Sequence, residues 1–265
     1  MERYNRLLRF SRIGILALTL LAVLARTLAL CLAFDASPGY FQSGAVLPVL
    51  YYIIIGLCVV SFCALPFIAR EYETVPCRVP LSLGRLVAAG VCALLCGVNC
   101  VYLLTSVDTL AVPAVIATPA ILALLAGVAY FALHFLGERY TSARVLCGYG
   151  FLLGCVLLLS ITYFDRYTPM NAPHKVGTHV ALLAMAASTL YELRATLSPR
   201  PSRALSVTSL LALALTASVG VSGVIAYLAG IYENTTYLVQ DLLITGFALW
   251  IGTRVLAGAE SEEPQ

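Results

Sequence analysis

Two charged residues stand inside apolar runs that give them no obvious reason to be there. Arg26 lies in the first long run and Asp241 in the last, with Gln240 beside it. Holding a charge in hydrocarbon costs a few kcal/mol or more, so such residues are functional candidates by default. At a 1.5 Å rise per residue, Arg26 is roughly 20 Å from the start of its run, and Asp241 lies near the matching level of the last one. A guanidinium–carboxylate contact between Arg26 and Asp241 is the expected pairing. The competing reading is architectural: Arg26 snorkels outward or ties two helices together.

The polar stretch 163–175 offers these two residues companions. It carries Asp165, Arg166, Asn171, His174 and Lys175, the last being the only lysine in the chain. Pro169 and Pro173 stiffen it. His174 and Lys175 stand where the next helix should start, and a helix N-terminus favours anions. Arg26, Asp165, Arg166, Asn171, His174, Lys175 and Asp241 therefore make a candidate anion-binding mouth. A rigid, solvated turn is the plainer alternative.

Other polar positions read as structure. Gly177, Ala181, Ala184, Ser188 and Glu192 share one face of a helix, a seam of small residues that ends in an acid. Glu192 is expected to pair with Arg194 or with Arg139, and Asn99 to pack beside Cys92, Cys96 and Cys100 at i, i+4 and i+8. One helix gives those thiols poor tetrahedral geometry, so no metal is expected. Ser209, Ala212, Thr216, Gly220 and Gly223 form a second small-residue face. Within it, Gly220-Val221-Ser222-Gly223 resembles the Gly-x-Ser-Gly turn of intramembrane serine proteases over four residues. Those enzymes place a histidine on a later span, whereas His134, His174 and His179 all precede Ser222. No nucleotide, dinucleotide or metalloprotease motif occurs, and no cofactor is expected. Glu138, Arg139, Glu192 and Arg194 form the one inner cluster that would suit an enzyme acting on a lipid-linked substrate.

The elements that must position these residues follow from composition. The 265 residues are 61% hydrophobic and 11% charged, with mean hydropathy +0.93. A soluble domain carries about twice that charged fraction. Apolar runs of about 20 residues span a bilayer as helices, which satisfy their own backbone polar groups in lipid. The expected fold is an all-α polytopic transmembrane bundle of about eight spans, at 13–34, 45–68, 86–104, 111–136, 145–164, 176–197, 206–229 and 237–257. It forms a single membrane domain with an acidic, disordered tail at 258–265. Asp108 and Thr109 read as a cap for the fourth span, and Pro119 as a kink within it. Nine cysteines, an odd number and nearly all within spans, argue against a disulfide framework.

Alternating the spans gathers thirteen of the sixteen basic residues at one end, leaving Arg166 and Lys175 at the other and Arg26 within a span. Short cytoplasmic loops carry the excess of Lys and Arg, so both termini are expected in the cytoplasm of a bacterial inner membrane. No internal repeat with broken helices in matching places is evident. The first functional expectation is a small transport or solute-binding component with an outward-facing polar pocket. A non-catalytic structural, sensory or assembly subunit, touching a partner subunit or a second copy, is the alternative. The bilayer is the expected environment, and nucleic acid is not a partner.

Overall fold

The computed structural model describes residues 2–35, 39–68, 75, 79, 81–106, 114–165, 168–200 and 202–257, with the backbone alone for 2–10, 114 and 137–139. Eight helices follow one another: α1 (Glu2–Ala33), α2 (Val46–Ile68), α3 (Leu83–Ser106), α4 (Ala114–Ala132), α5 (Thr141–Phe164), α6 (Pro173–Leu197), α7 (Arg203–Leu228) and α8 (Thr235–Ala257). Each contains a stretch long and apolar enough to cross a membrane. The chain is thus an all-α, multi-pass transmembrane bundle.

The α1 helix starts at Glu2, well before the expected 13, and the other helices match the expected spans to within a few residues, with two further differences. The end of the expected fourth span and the start of the expected loop form a 3-10 helix instead (Leu133–Tyr140). Between α1 and α2 a two-residue antiparallel hairpin, β1 (Phe34–Asp35) and β2 (Tyr40–Phe41), pairs Phe34 with Phe41. The cap at Asp108 and Thr109, Arg166 and the tail at 258–265 lie outside the described residues.

The helices α7 and α8 form the centre. About two thirds of the most apolar stretch of each is buried (67%), against 28% for α2. The helix α7 packs on α1, α2, α6 and α8, and α8 also packs on α3. The small-residue face of α7 explains this. A Cβ on Gly220 would come within 2.7 Å of the Thr245 backbone nitrogen, so α7 and α8 touch backbone to backbone. Close approach of this kind drives helix pairing where apolar lipid supplies no hydrophobic force. Large residues such as Leu20, Leu24, Val60, Leu94 and Val101 face outward, as lipid-facing positions should.

Two polar levels result. Arg26, Tyr51, His174 and Asp241 converge near the C-terminal end of α1 and the N-terminal ends of α2, α6 and α8. Arg85, Glu192 and Arg254 converge at the opposite end, where α1 begins and α8 ends. Along α6, His174 and Glu192 are roughly 27 Å apart.

Candidate functional site: a buried Arg-His-Asp cluster

Arg26 is held by α2 and α6. Its Nη1 donates to the Tyr51 hydroxyl at 3.1 Å and its Nη2 to the Pro173 carbonyl at 3.3 Å. The guanidinium also lies 5.3 Å from the centre of the Tyr51 ring. It fits because position 177 is glycine: a Cβ there would collide with the guanidinium. The small end of the α6 seam is therefore a notch for a cation as well as a packing surface. Proline at the first position of α6 costs no hydrogen bond there, and the second lone pair of its carbonyl receives Arg26.

Asp241 occupies the corresponding notch on α7, where a Cβ on Gly223 would collide with its carboxylate. The nearest ion-pair partner is His174, with Nε2 3.6 Å from Asp241 Oδ2. That exceeds hydrogen-bond distance. Both Asp241 oxygens, both His174 ring nitrogens, Arg26 Nε and the Tyr232 hydroxyl are buried with no hydrogen-bond partner among the described residues. Buried polar groups are nearly always satisfied, so this concentration needs an explanation.

Aromatic side chains wall the cluster. The His174 ring lies 4.7 Å from Tyr232 and 4.3 Å from Tyr237. Tyr232 reaches the site because α7 stops just before it. Gly230, at φ +72°, takes the left-handed conformation. Its N–H bonds the Tyr227 carbonyl, and Ile231 N–H bonds Ala226. This pattern of paired bonds after a C-terminal glycine ends the helix and redirects the chain. Burial pushes the Tyr232 phenol above its usual range, so it remains protonated. Phe34 of the hairpin packs on Tyr232 at 5.2 Å.

The polar stretch 163–175 acts as the frame of this site. Lys175 is fully buried and its Nζ donates to the carbonyls of Asp165 (2.8 Å) and Thr168 (3.2 Å). Tyr237 donates to the Asp165 carboxylate at 2.8 Å. Asn171 accepts from the exposed Tyr40 hydroxyl at 2.6 Å, tying the hairpin to the loop before α6. Of the residues singled out in the sequence, Arg26, His174 and Asp241 meet inside the bundle, while Asp165, Asn171 and Lys175 close the end of the bundle around them. The expected Arg26–Asp241 contact is replaced by Arg26 on Tyr51 and Pro173, with His174 beside Asp241. Tyr51, Tyr232 and Tyr237 carried no sequence signal that separated them from other aromatic residues near span ends.

The chain matches no family model, no curated protein and no solved structure.

At the second level the carboxylate is fully engaged, although Arg85 Nη1 is itself buried with no hydrogen-bond partner among the described residues. Glu192 Oε1 accepts from Arg85 at 3.0 Å and from Arg254 at 2.7 Å, and Oε2 accepts from the Trp250 indole at 3.2 Å. Arg85 also stacks over the Trp250 ring at 4.3 Å. The expected Arg194 partner is instead exposed, one helical face away. The side chains of Glu138 and Arg139 lie outside the description. Asn99 donates to Leu95 (2.9 Å) and Val239 (3.1 Å), pinning α3 to α8. The Ser222 hydroxyl bonds the carbonyls of its own helix at Ser218 and Val219. Among the described residues no three metal-ligating side chains converge. Chemically, the Arg26 level retains unused donors and acceptors, and the Glu192 level has both carboxylate oxygens engaged.

Proposed function

We propose that the chain is a small transport or solute-binding component of a membrane, and that Arg26, His174 and Asp241 form its site. The observation that supports this reading is the set of orphaned polar atoms on His174 and Asp241 at the heart of the bundle. An architectural ion pair would satisfy its own hydrogen bonds, as Glu192 does. A site kept for a ligand or a transferred proton leaves its donors and acceptors free until that partner arrives. Arg26 and the Tyr232 hydroxyl would hold an acceptor group, Asp241 a donor group, and His174 either one. Arg26 is only 4% exposed and Asp241 1%, so the site is occluded in this conformation, under the hairpin and the loop joined by Tyr40 and Asn171. Access would open by parting that exposed contact.

The asymmetry of basic residues supports a plasma-membrane orientation with both termini in the cytoplasm and the site nearer the outer face. Purified protein would be screened by thermal shift against amino acids, small carboxylates, amines and alkali cations. A stabilising solute is expected, with stabilisation abolished in Arg26→Gln and Asp241→Asn while both variants remain monodisperse. A solute that stabilises all three proteins equally would place the site elsewhere. If every solute is silent and both variants are less stable than the parent, the cluster is architectural.

A further inference from the structure

A second site lies at the opposite end of the bundle, at the junction of α6 and α7. A cavity of about 340 Å³ opens there, lined by Tyr191, Arg194, Ala195, Ser198, Arg200 and Ser202. Tyr191, Arg194 and Ala195 fall at i, i+3 and i+4 on one face of α6, so the helix presents them together, and Ser198 is the residue that ends it. Arg200 and Ser202 come from the five-residue connection, 198–202, that leads into α7. Ser202 caps that helix, accepting from the Leu205 N–H. The first turn of α7 therefore faces the cavity with its positive end.

Charge and depth identify the ligand. Neither arginine has a carboxylate within ion-pair distance among the described residues, whereas every buried arginine of the Glu192 cluster is paired. Arg203, the neighbouring basic residue, is drawn away over the Phe67 ring at 5.5 Å. No acidic side chain lines the cavity. Glu192 lies on the same helix but points inward to Arg85 and Arg254. The cavity also sits where two spans end, since α6 finishes at Leu197 and α7 begins at Arg203. That is the level of lipid headgroups, where tyrosine is favoured and basic pockets between helices recognise anionic lipids.

We infer that the cavity between α6 and α7 binds the phosphate headgroup of an anionic phospholipid, with Arg194 and Arg200 on the phosphate oxygens. Ser198 supplies a hydroxyl donor, and the Tyr191 ring lies beside the glycerol. The adjoining exposed Leu197 and Leu190 give the acyl chains an apolar path along α6.

The test is native mass spectrometry and thermal shift on the full chain in a neutral detergent. Phosphatidylglycerol, phosphatidylcholine and inorganic phosphate are the three probes. Wild type should retain phosphatidylglycerol at least tenfold better than phosphatidylcholine and gain several degrees in Tm. The exposed positions make Arg194→Gln/Arg200→Gln tolerable, and that variant should lose the preference while keeping the unliganded Tm. Arg144→Gln, which removes a charge from the same end outside the cavity, should keep it. Equal retention of phosphatidylglycerol by the double variant overturns the inference. So does a full Tm gain from millimolar inorganic phosphate alone, which would make this a free-anion site. The result is independent of the Arg26 cluster, because neither variant touches it.

Discussion

At the scale of single residues, two glycines carry as much meaning as the charges they face. Gly177 and Gly223 are the gaps into which Arg26 and Asp241 fit. Gly177→Ala should therefore destabilise the protein by about 1–3 kcal/mol, the usual cost of overpacking a filled interior. The loss should be largely recovered when Arg26 is shortened to Ala in the same chain, and chemical denaturation in detergent would read both. A Gly177→Ala chain as stable as wild type would mean that the guanidinium has room elsewhere. His174 gives a complementary prediction. His174→Phe keeps the ring between Tyr232 and Tyr237 but removes two buried nitrogens that have no partner. Its Tm should equal or exceed that of wild type, because an unsatisfied buried polar group costs about 1–3 kcal/mol. A fall of several degrees would show that the His174–Asp241 contact holds the bundle together. The depth of Arg26 and Asp241 was legible from residue counting alone. Their partners were not, because pairing depends on how each helix is rotated about its axis, and several rotations bury the same apolar run equally well.

At the scale of elements, the spans were readable because hydrocarbon thickness sets their length and every backbone group must be satisfied within the helix. The start of α3 was harder. Leu83 and Gly84 precede Arg85, and a basic residue near a span end reads as loop. Instead Arg85 lies inside α3 and is buried against Glu192. The contacts of α8 with α3 and with α6 bring Arg85, Glu192 and Arg254 together, and helix adjacency of that kind leaves no local mark in a sequence. The seam on α6 was read correctly as small residues ending in an acid, yet the acid serves helices far away in sequence. Glu192→Gln should cost about 3–5 kcal/mol, since it leaves two buried guanidinium groups without a counter-charge. Replacing all three residues by Met or Leu should recover most of that loss. Equilibrium unfolding of the single and triple variants would check this. A triple variant no more stable than Glu192→Gln would mean that the cluster supplies packing that apolar side chains cannot reproduce.

At the scale of the whole molecule, the question is which end faces the cytoplasm. The sequence puts thirteen basic residues on the side where α1 begins and α8 ends. Two of them, Arg85 and Arg254, are committed to Glu192 inside the bundle, so they contribute little to a surface asymmetry. At the other end Lys175 is likewise buried, its ammonium spent on two carbonyls. The discount thus applies to both ends, and the surplus of basic residues on short loops survives it. By the positive-inside rule that surplus predicts a cytoplasmic face for the end that carries it. An alkaline phosphatase reporter, active only outside the cytoplasm, should be active when fused after Gln42 or Asn171. A green fluorescent reporter that folds only in the cytoplasm should fluoresce when fused after Arg200 or at the C-terminus. The reverse pattern would turn the bundle over, and the Arg26 cluster would then face the cell interior. Eight spans and seven connections leave no third arrangement: the reporters after Asn171 and Arg200 must disagree, because α6 alone lies between them. If they agreed, α6 would not cross the membrane, and the cluster at its first turn could not lie in the half of the bilayer opposite Glu192.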